Sequence, residues 1–248
     1  IPNTMNCFHE NKNSNKLLIL MGDSHAFHYL PAIGDLFDTF DVYHSYSPCL
    51  FSNKLASVNF NEENSFEIVE KCLNSIRNMV LKVKYFEKKY SNGSVTLILS
   101  NRSNYRINNM TVYDQNLHPI SNKEEVYFKY YDSLKSIVSS LSSKTNILHI
   151  LPTPEFRNIE GISNICIISN KNFCVIDKEI HIKNNIKLND IHYAMQKELP
   201  NFYNFDFTDD LCINKKCKIF NHETDMLFFS DNNHLSLETS KRIGKKLQ

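Results

Sequence analysis

The sequence lacks any apolar run of about 18 residues or more, so no segment of it is expected to span a bilayer as a helix. It has no CxxC pair and no Cys/His cluster at zinc-ligand spacing, which argues against a zinc site. It has no strong excess of either charge: the net charge is +1. Nucleic-acid binding would call for a clustered basic face, and none is apparent. There is no internal repeat. The first sixteen residues, IPNTMNCFHENKNSNK, are polar and lack the apolar centre of a signal peptide. The chain does not begin with Met, and the expectation is a fragment or a processed form.

What is present is ordinary for a globular domain. Hydrophobic residues make up 42% and charged residues 22% of 248 residues. That length suits one large α/β domain or, as the lesser alternative, two small ones, and a domain of this size would bury roughly 70% of the surface its unfolded chain exposes. The sequence contains 7 cysteines. Cys212 and Cys217 flank the polar turn INKK, and Cys166 and Cys174 sit in a second polar stretch. Short Cys loops of this kind suit disulfides formed in an oxidising compartment. Cys49 and Cys72 make the third expected pair, joining the loop after the second strand to the next helix. Cys7 is left over. For any one of these residues the competing reading is a buried thiol.

Strand and helix patterns alternate. Leu17–Met21 is a continuous apolar run ending at Gly22, as a central parallel strand requires. A helix is expected over 26–38 and a strand over 41–46. Phe66, Val69, Leu73, Ile76, Val80 and Val83 recur at helical spacing. Further strands are expected at 94–100, 147–151 and 202–207. Further helices are expected at 123–142, 187–198 and from about Leu235. Alternation of this kind implies a three-layer, doubly wound parallel sheet, flavodoxin-like, in a single domain. Ligands of such sheets bind beyond the carboxyl ends of the strands. Gly22-Asp23-Ser24, Asn101-Arg102 and Pro152-Thr153-Pro154 fall at those ends. Residues 101–121 and 152–184 are expected as long connections, either functional or surface decoration. The boundaries expected are an N-terminal linker or extension at 1–15 and a catalytic domain at 16–248.

Gly22-Asp23-Ser24-His25 lies between an apolar strand and a helix. Gly22 permits a sharp turn. Ser24 would then sit at a helix N-terminus, where backbone N–H groups favour a developing negative charge. Asp and Ser are also common helix caps, so the tripeptide alone is weak. Asp231-Asn232-Asn233-His234 precedes the last helix. Its spacing allows the Asp to orient the imidazole on one side of a turn. Each motif is common; the two together, at opposite ends of one α/β chain, point to a serine nucleophile with His234 as base and Asp231 as its partner. His25 and His28 are expected to cap or pack. Arg102, Tyr105 and Arg106 are candidates for binding sugar hydroxyls or a carboxylate, against the plainer reading of solvated loop residues.

The strand–GDSH start and the terminal DxxHLS resemble the SGNH hydrolase superfamily. More narrowly, LLILMGDSHAFHYLPAI, the SPC at 47–49, the Cys212/Cys217 pair and FFSDNNHLS resemble SGNH domains fused to membrane acyltransferases. Those proteins O-acetylate bacterial surface polysaccharides such as lipopolysaccharide O-antigen. The resemblance covers about Lys16 to the end. It implies Ser24 as nucleophile, His234 as general base and Asp231 as its orienting partner, with no metal and no cofactor. The superfamily places a Gly and an Asn in the oxyanion hole. Here Ser47-Pro48-Cys49 follows the second strand without a Gly, so the expected donors are the Ser24 backbone N–H, Asn101 and Arg102.

The expected function is transfer of an acetyl group, through acetyl-serine, to a carbohydrate acceptor. The acetyl donor is expected to be delivered by a membrane acyltransferase domain on the same polypeptide. The chain would then be its periplasmic portion, tethered to the inner membrane through a missing N-terminal region. A secreted carbohydrate acetylesterase with the same triad is the alternative. A silent sugar-binding module is a third reading, from another class. No nucleic-acid partner is expected.

Overall fold

A computed structural model describes residues 6–11, 14–59, 64–169 and 171–246. The chain divides into two compact units. The first comprises residues 1–27, 37–150 and 187–205, and the second 28–36, 151–186 and 206–248.

The first unit is built on a mixed sheet whose parallel strands are flanked by helices. Among the described residues its strand order is Asn6–His9, Asp41–Tyr46, Lys16–Gly22, Ser94–Ser100, Thr145–Ile150, Phe202–Phe205. The last five run parallel to one another. In chain order they are arranged 2-1-3-4-5, the flavodoxin-like winding. Asn6–His9 is antiparallel on Asp41–Tyr46, so part of the stretch expected as linker or extension is an edge strand of the sheet.

The central strand Lys16–Gly22 is apolar and buried from Leu17 onward because both of its faces are covered. Leu17, Ile19 and Met21 join Leu97 and Leu99 in a core shared with the helices Ser65–Lys89 and Lys123–Ser139. Val69, Leu73, Ile76 and Val83 supply the stripe of the first helix, and Val126, Tyr130, Leu134 and Ile137 that of the second. The alternate strand residues Leu18, Leu20 and Ile98 are buried as well. Val69, Leu73, Ile76 and Val83 thus keep the spacing expected of the longer helix, with Val80 partly buried against the same core, whereas Phe66, expected on that stripe, is 56% exposed. The second ends three residues sooner than expected, at Ser139.

Several stretches depart from expectation. The segment 101–121, expected as an irregular connection, carries the helix Ser103–Asn109 and the strands Thr111–Asp114 and Pro119–Ile120. These strands form a small antiparallel sheet with Leu55–Val58. The hairpin is too short to show a period. Its turn is held by the Asp114 carboxylate, which accepts from the Asn116 and His118 N–H groups, with Leu117 at φ 66°. The helix expected over 26–38 is instead a four-residue helix, Ser24–Phe27, and a separate 3-10 turn, Leu30–Leu36. Pro31 lacks an N–H and its ring crowds the carbonyl four residues back, that of Phe27, where the first helix stops.

The second unit is made of short helices, hairpins and cross-links. Strand Val175–Asp177 pairs with Lys216–Lys218, which pairs with Cys212–Ile213. The long connection expected at 152–184 thus contains this strand, the helix Ile162–Ile168 and the start of the helix Lys178–Glu198. That last helix begins nine residues before the expected 187. The terminal helix, Leu237–Gly244, is capped by Ser236, whose side chain accepts from the Thr239 N–H. Disulfides join Cys166 to Cys174 and Cys212 to Cys217 here, and Cys49 to Cys72 in the first unit. Cys7 is a thiol on the surface. All of these match the pairing read from the sequence. Among the described residues no helix is long and apolar enough to cross a membrane.

Candidate active site

In the first unit the strand Lys16–Gly22 ends beside Ser100, the last residue of its neighbour. This is the switch point of the sheet, where the chain winds off in opposite directions and where doubly wound folds bind ligands. Gly22 sits at φ +153°, and a Cβ built there would stand 1.7 Å from the Ser100 carbonyl oxygen. Only glycine lets the two strand ends come this close. Asp23 then turns the chain. Its carbonyl accepts from Ala26 N–H and its Oδ1 from His25 N–H at 3.0 Å. Asp23 therefore caps the short helix, and Ser24 is the first helical residue, partly exposed.

Asp23 does more than cap. It is 2% exposed. Its Oδ2 accepts from the Arg102 backbone N–H at 3.0 Å and from Arg106 Nη2 at 3.1 Å. The carboxylate thus fastens the turn that carries Ser24 to the end of the adjacent strand. Asn101, expected as an oxyanion donor, gives an Nδ2 hydrogen to the Cys49 carbonyl, and its Oδ1 accepts from Ser103 Oγ. It links the loop after the strand Asp41–Tyr46 to the same strand end. The Arg102 guanidinium lies over the Tyr105 ring, 4.0 Å from its centre. Arg106, expected at the substrate, instead faces the buried Asp23, and its Nε has no hydrogen-bond partner among the described residues.

In the second unit Asp231 and His234 form one hydrogen-bonded turn. Asp231 Oδ1 accepts from the backbone N–H groups of Asn233 and His234, at 2.8 and 2.7 Å. Its Oδ2 takes the His234 Nδ1 at 2.7 Å. With its proton on Nδ1, the neutral imidazole carries its basic lone pair on Nε2. Partial burial works to raise the Asp231 pKa, but the two N–H bonds and the His234 ring outweigh it and hold the carboxyl below its usual range. Asp231 therefore stays ionised at neutral pH.

Sequence reasoning missed the partner on the other side of this turn. His28 Nδ1 accepts from the Leu235 N–H at 3.3 Å, and its ring meets that of His234 edge to face, with centres 6.0 Å apart. The His28 carbonyl also takes the Ser240 hydroxyl. Because Nδ1 accepts, the proton of a neutral His28 sits on Nε2. No local spacing announces this contact, since the partners lie at opposite ends of the chain. The role of Asp23 was equally hidden, because its cation is contributed by a distant helix.

A family model described as the SGNH domain fused to AT3 domains matches residues 2–248. No curated protein matches the sequence significantly. Among solved structures, the periplasmic domain of the lipopolysaccharide acetyltransferase of Salmonella ser. Paratyphi A is similar in fold. It is 15% identical, with a TM-score of 0.56 over 93% of this chain and 83% of that one.

Proposed function

The chain belongs to the family of SGNH domains fused to AT3 domains, and we propose that it is a serine-dependent O-acetyltransferase acting on a carbohydrate hydroxyl. Ser24 is the nucleophile. His234 Nε2 takes its proton as Ser24 Oγ attacks the acetyl carbonyl, and Asp231 holds the ring in the reactive tautomer and stabilises the imidazolium. The tetrahedral oxyanion is met by the Ser24 backbone N–H, with Asn101 and Arg102 as further donors. Collapse expels the donor's leaving group, which takes the proton from His234, and leaves acetyl-serine. An acceptor hydroxyl then gives its proton to His234 and attacks, and Ser24 is regenerated.

The observation that carries this reading is the Asp231 Oδ2···His234 Nδ1 bond within a turn that also satisfies the backbone. A silent binding module has no need for a carboxylate kept ionised against an imidazole. Water in place of the sugar would give an esterase from the same steps. Family membership favours transfer, with the acetyl group supplied by an AT3-type partner domain. The disulfides favour an oxidising, extracytoplasmic location. Tethering to the inner membrane through a preceding region is part of the same proposal, with a catalytic domain that takes in the edge strand Asn6–His9 and not only residues from 16 onward.

The test is made in cells that carry the protein: acetate on the surface polysaccharide is measured with wild type and with Ser24→Ala. Loss of acetate at equal protein level is expected. Unchanged acetylation would overturn the assignment of Ser24.

A further inference from the structure

The second unit contains an open groove of about 640 Å³ that the steps above do not use. One wall is the segment Glu155–Arg157, and the other runs from Asn172 through Ile176 to Ile180. Its size lies within the range of small-molecule sites, and its make-up follows their pattern: a mostly apolar lining with a few polar groups at the rim. Phe156, Phe173 and Ile180 provide apolar surface, and Glu155, Arg157 and Asn172 provide a carboxylate, a guanidinium and an amide.

Both walls are fastened to the segment that bears Asp231 and His234. On one side the Phe156 N–H donates to the Asn232 carbonyl at 2.8 Å, and the Phe156 ring meets Phe229 edge to face at 5.1 Å. On the other, Phe173 and Val175 flank Cys174, which is bonded to Cys166 in the helix Ile162–Ile168. Ser163 of that helix donates its hydroxyl to the carbonyls of Phe229 and Ser230. The strand Val175–Asp177 is further held by Lys216–Lys218, in a hairpin closed by Cys212–Cys217. Two disulfides therefore stiffen one groove wall. Such bracing lowers the ordering cost of binding a ligand.

We propose that this groove is the acceptor subsite, binding a segment of the polysaccharide next to the sugar that receives the acetyl group. The inference rests on the acetyl-transfer reading. A pyranose ring has an apolar C–H face and a rim of hydroxyls. The aromatic and aliphatic lining takes the first. The Glu155 carboxylate accepts from hydroxyls, while Arg157 and Asn172 donate to them. Attachment to the Asn232 loop places the sugar chain in fixed register with the histidine that activates its hydroxyl.

The test uses residues at the groove surface that stand outside the catalytic machinery. Arg157 and Asn172 are exposed, and Ile180 is about half exposed. One variant combines Arg157→Ala and Asn172→Ala; another, Ile180→Trp, fills the groove. Polysaccharide acetate is measured in cells, and hydrolysis of a small aryl acetate is measured with the purified protein. Acetylation is expected to fall by at least about tenfold in both variants, with aryl acetate hydrolysis within about twofold of wild type. Wild-type acetylation in both groove variants, with Ser24→Ala inactive, overturns the subsite and leaves the triad standing. A parallel fall in both readouts also overturns it, because the groove would then act on the triad or the fold instead of the acceptor. Acetylation that survives Ser24→Ala fails the underlying reading instead.

Discussion

Asp231 is bonded to His234 twice, through Oδ1 to its backbone N–H and through Oδ2 to its Nδ1, each at 2.7 Å. One carboxylate both closes the turn and sets the tautomer of the ring. Asp231→Asn should keep most of the turn, since the amide oxygen still accepts from the backbone. It should nonetheless lower the acyl-transfer rate by roughly 10³–10⁴-fold, because an amide no longer supports the imidazolium. The measurement is the rate of acetyl-serine formation in the variant, with circular dichroism as a control for folding. A loss under about tenfold would remove Asp231 from the catalytic role.

Arg106 and Asp23 form an ion pair with side chains 14% and 2% exposed. Removing one partner of such a pair leaves a charge buried without compensation, at a cost of about 3–5 kcal/mol. Arg106→Ala should therefore lower the urea midpoint markedly, more than Lys135→Ala, whose ion pair with Glu198 is exposed. It should also slow the proposed Ser24 chemistry, because Asp23 holds the turn that carries Ser24. Equal midpoints for the two variants would show that the pair is not structural.

His149 and His192 stack at 3.7 Å between ring centres, 5% and 0% exposed. Burial pushes the His149 pKa down to about 3. Burial, and then the neighbouring His149, push that of His192 well below its ordinary value. The unfolded rings take up protons near pH 6.5, whereas the folded ones resist. Stability from this source is thus fully present above about pH 6.5 and falls as pH drops toward 3, by up to about 1.4 kcal/mol per pH unit for each ring. Melting temperatures from pH 7 to 4 should decline steeply in wild type and about half as steeply in His192→Phe. Parallel pH profiles would show that these rings do not control acid stability.

Cys49–Cys72 closes the longest disulfide loop among the described residues, with a sequence separation of 23. Constraint of the unfolded chain over a loop of that length contributes about 3 kcal/mol, against about 2 kcal/mol for the five-residue separation of Cys212–Cys217. Replacing Cys49 and Cys72 with Ala should destabilise the protein more than the same change at Cys212 and Cys217. Alkylation without reduction should label Cys7 alone. Labels on further cysteines would reject the oxidised state.

Local sequence by itself determined a good deal. The apolar run Leu17–Met21, the helical stripe from Val69 to Val83 and the pairs Cys166–Cys174 and Cys212–Cys217 were legible because each follows from a period or a short loop, whereas Cys49–Cys72 closes a longer loop and was read as the third pair, joining a strand-end loop to the next helix. Gly22-Asp23-Ser24 and Asp231-His234 were legible as motifs because a strand-to-helix turn and an Asp–His turn are built from neighbours in the chain. Tertiary structure decided which charges meet. Arg106 was read as a substrate residue and instead neutralises Asp23. His28 was read as a capping or packing residue, and it packs, but the partners it meets, Leu235 and His234, come from the far end of the chain. Asn101 was read as an oxyanion donor and also ties down the Cys49 carbonyl. No periodicity encodes these pairings. A buried carboxylate must find a cation or N–H donors wherever the fold brings them, and here they come from residues 79 and 83 positions along the chain.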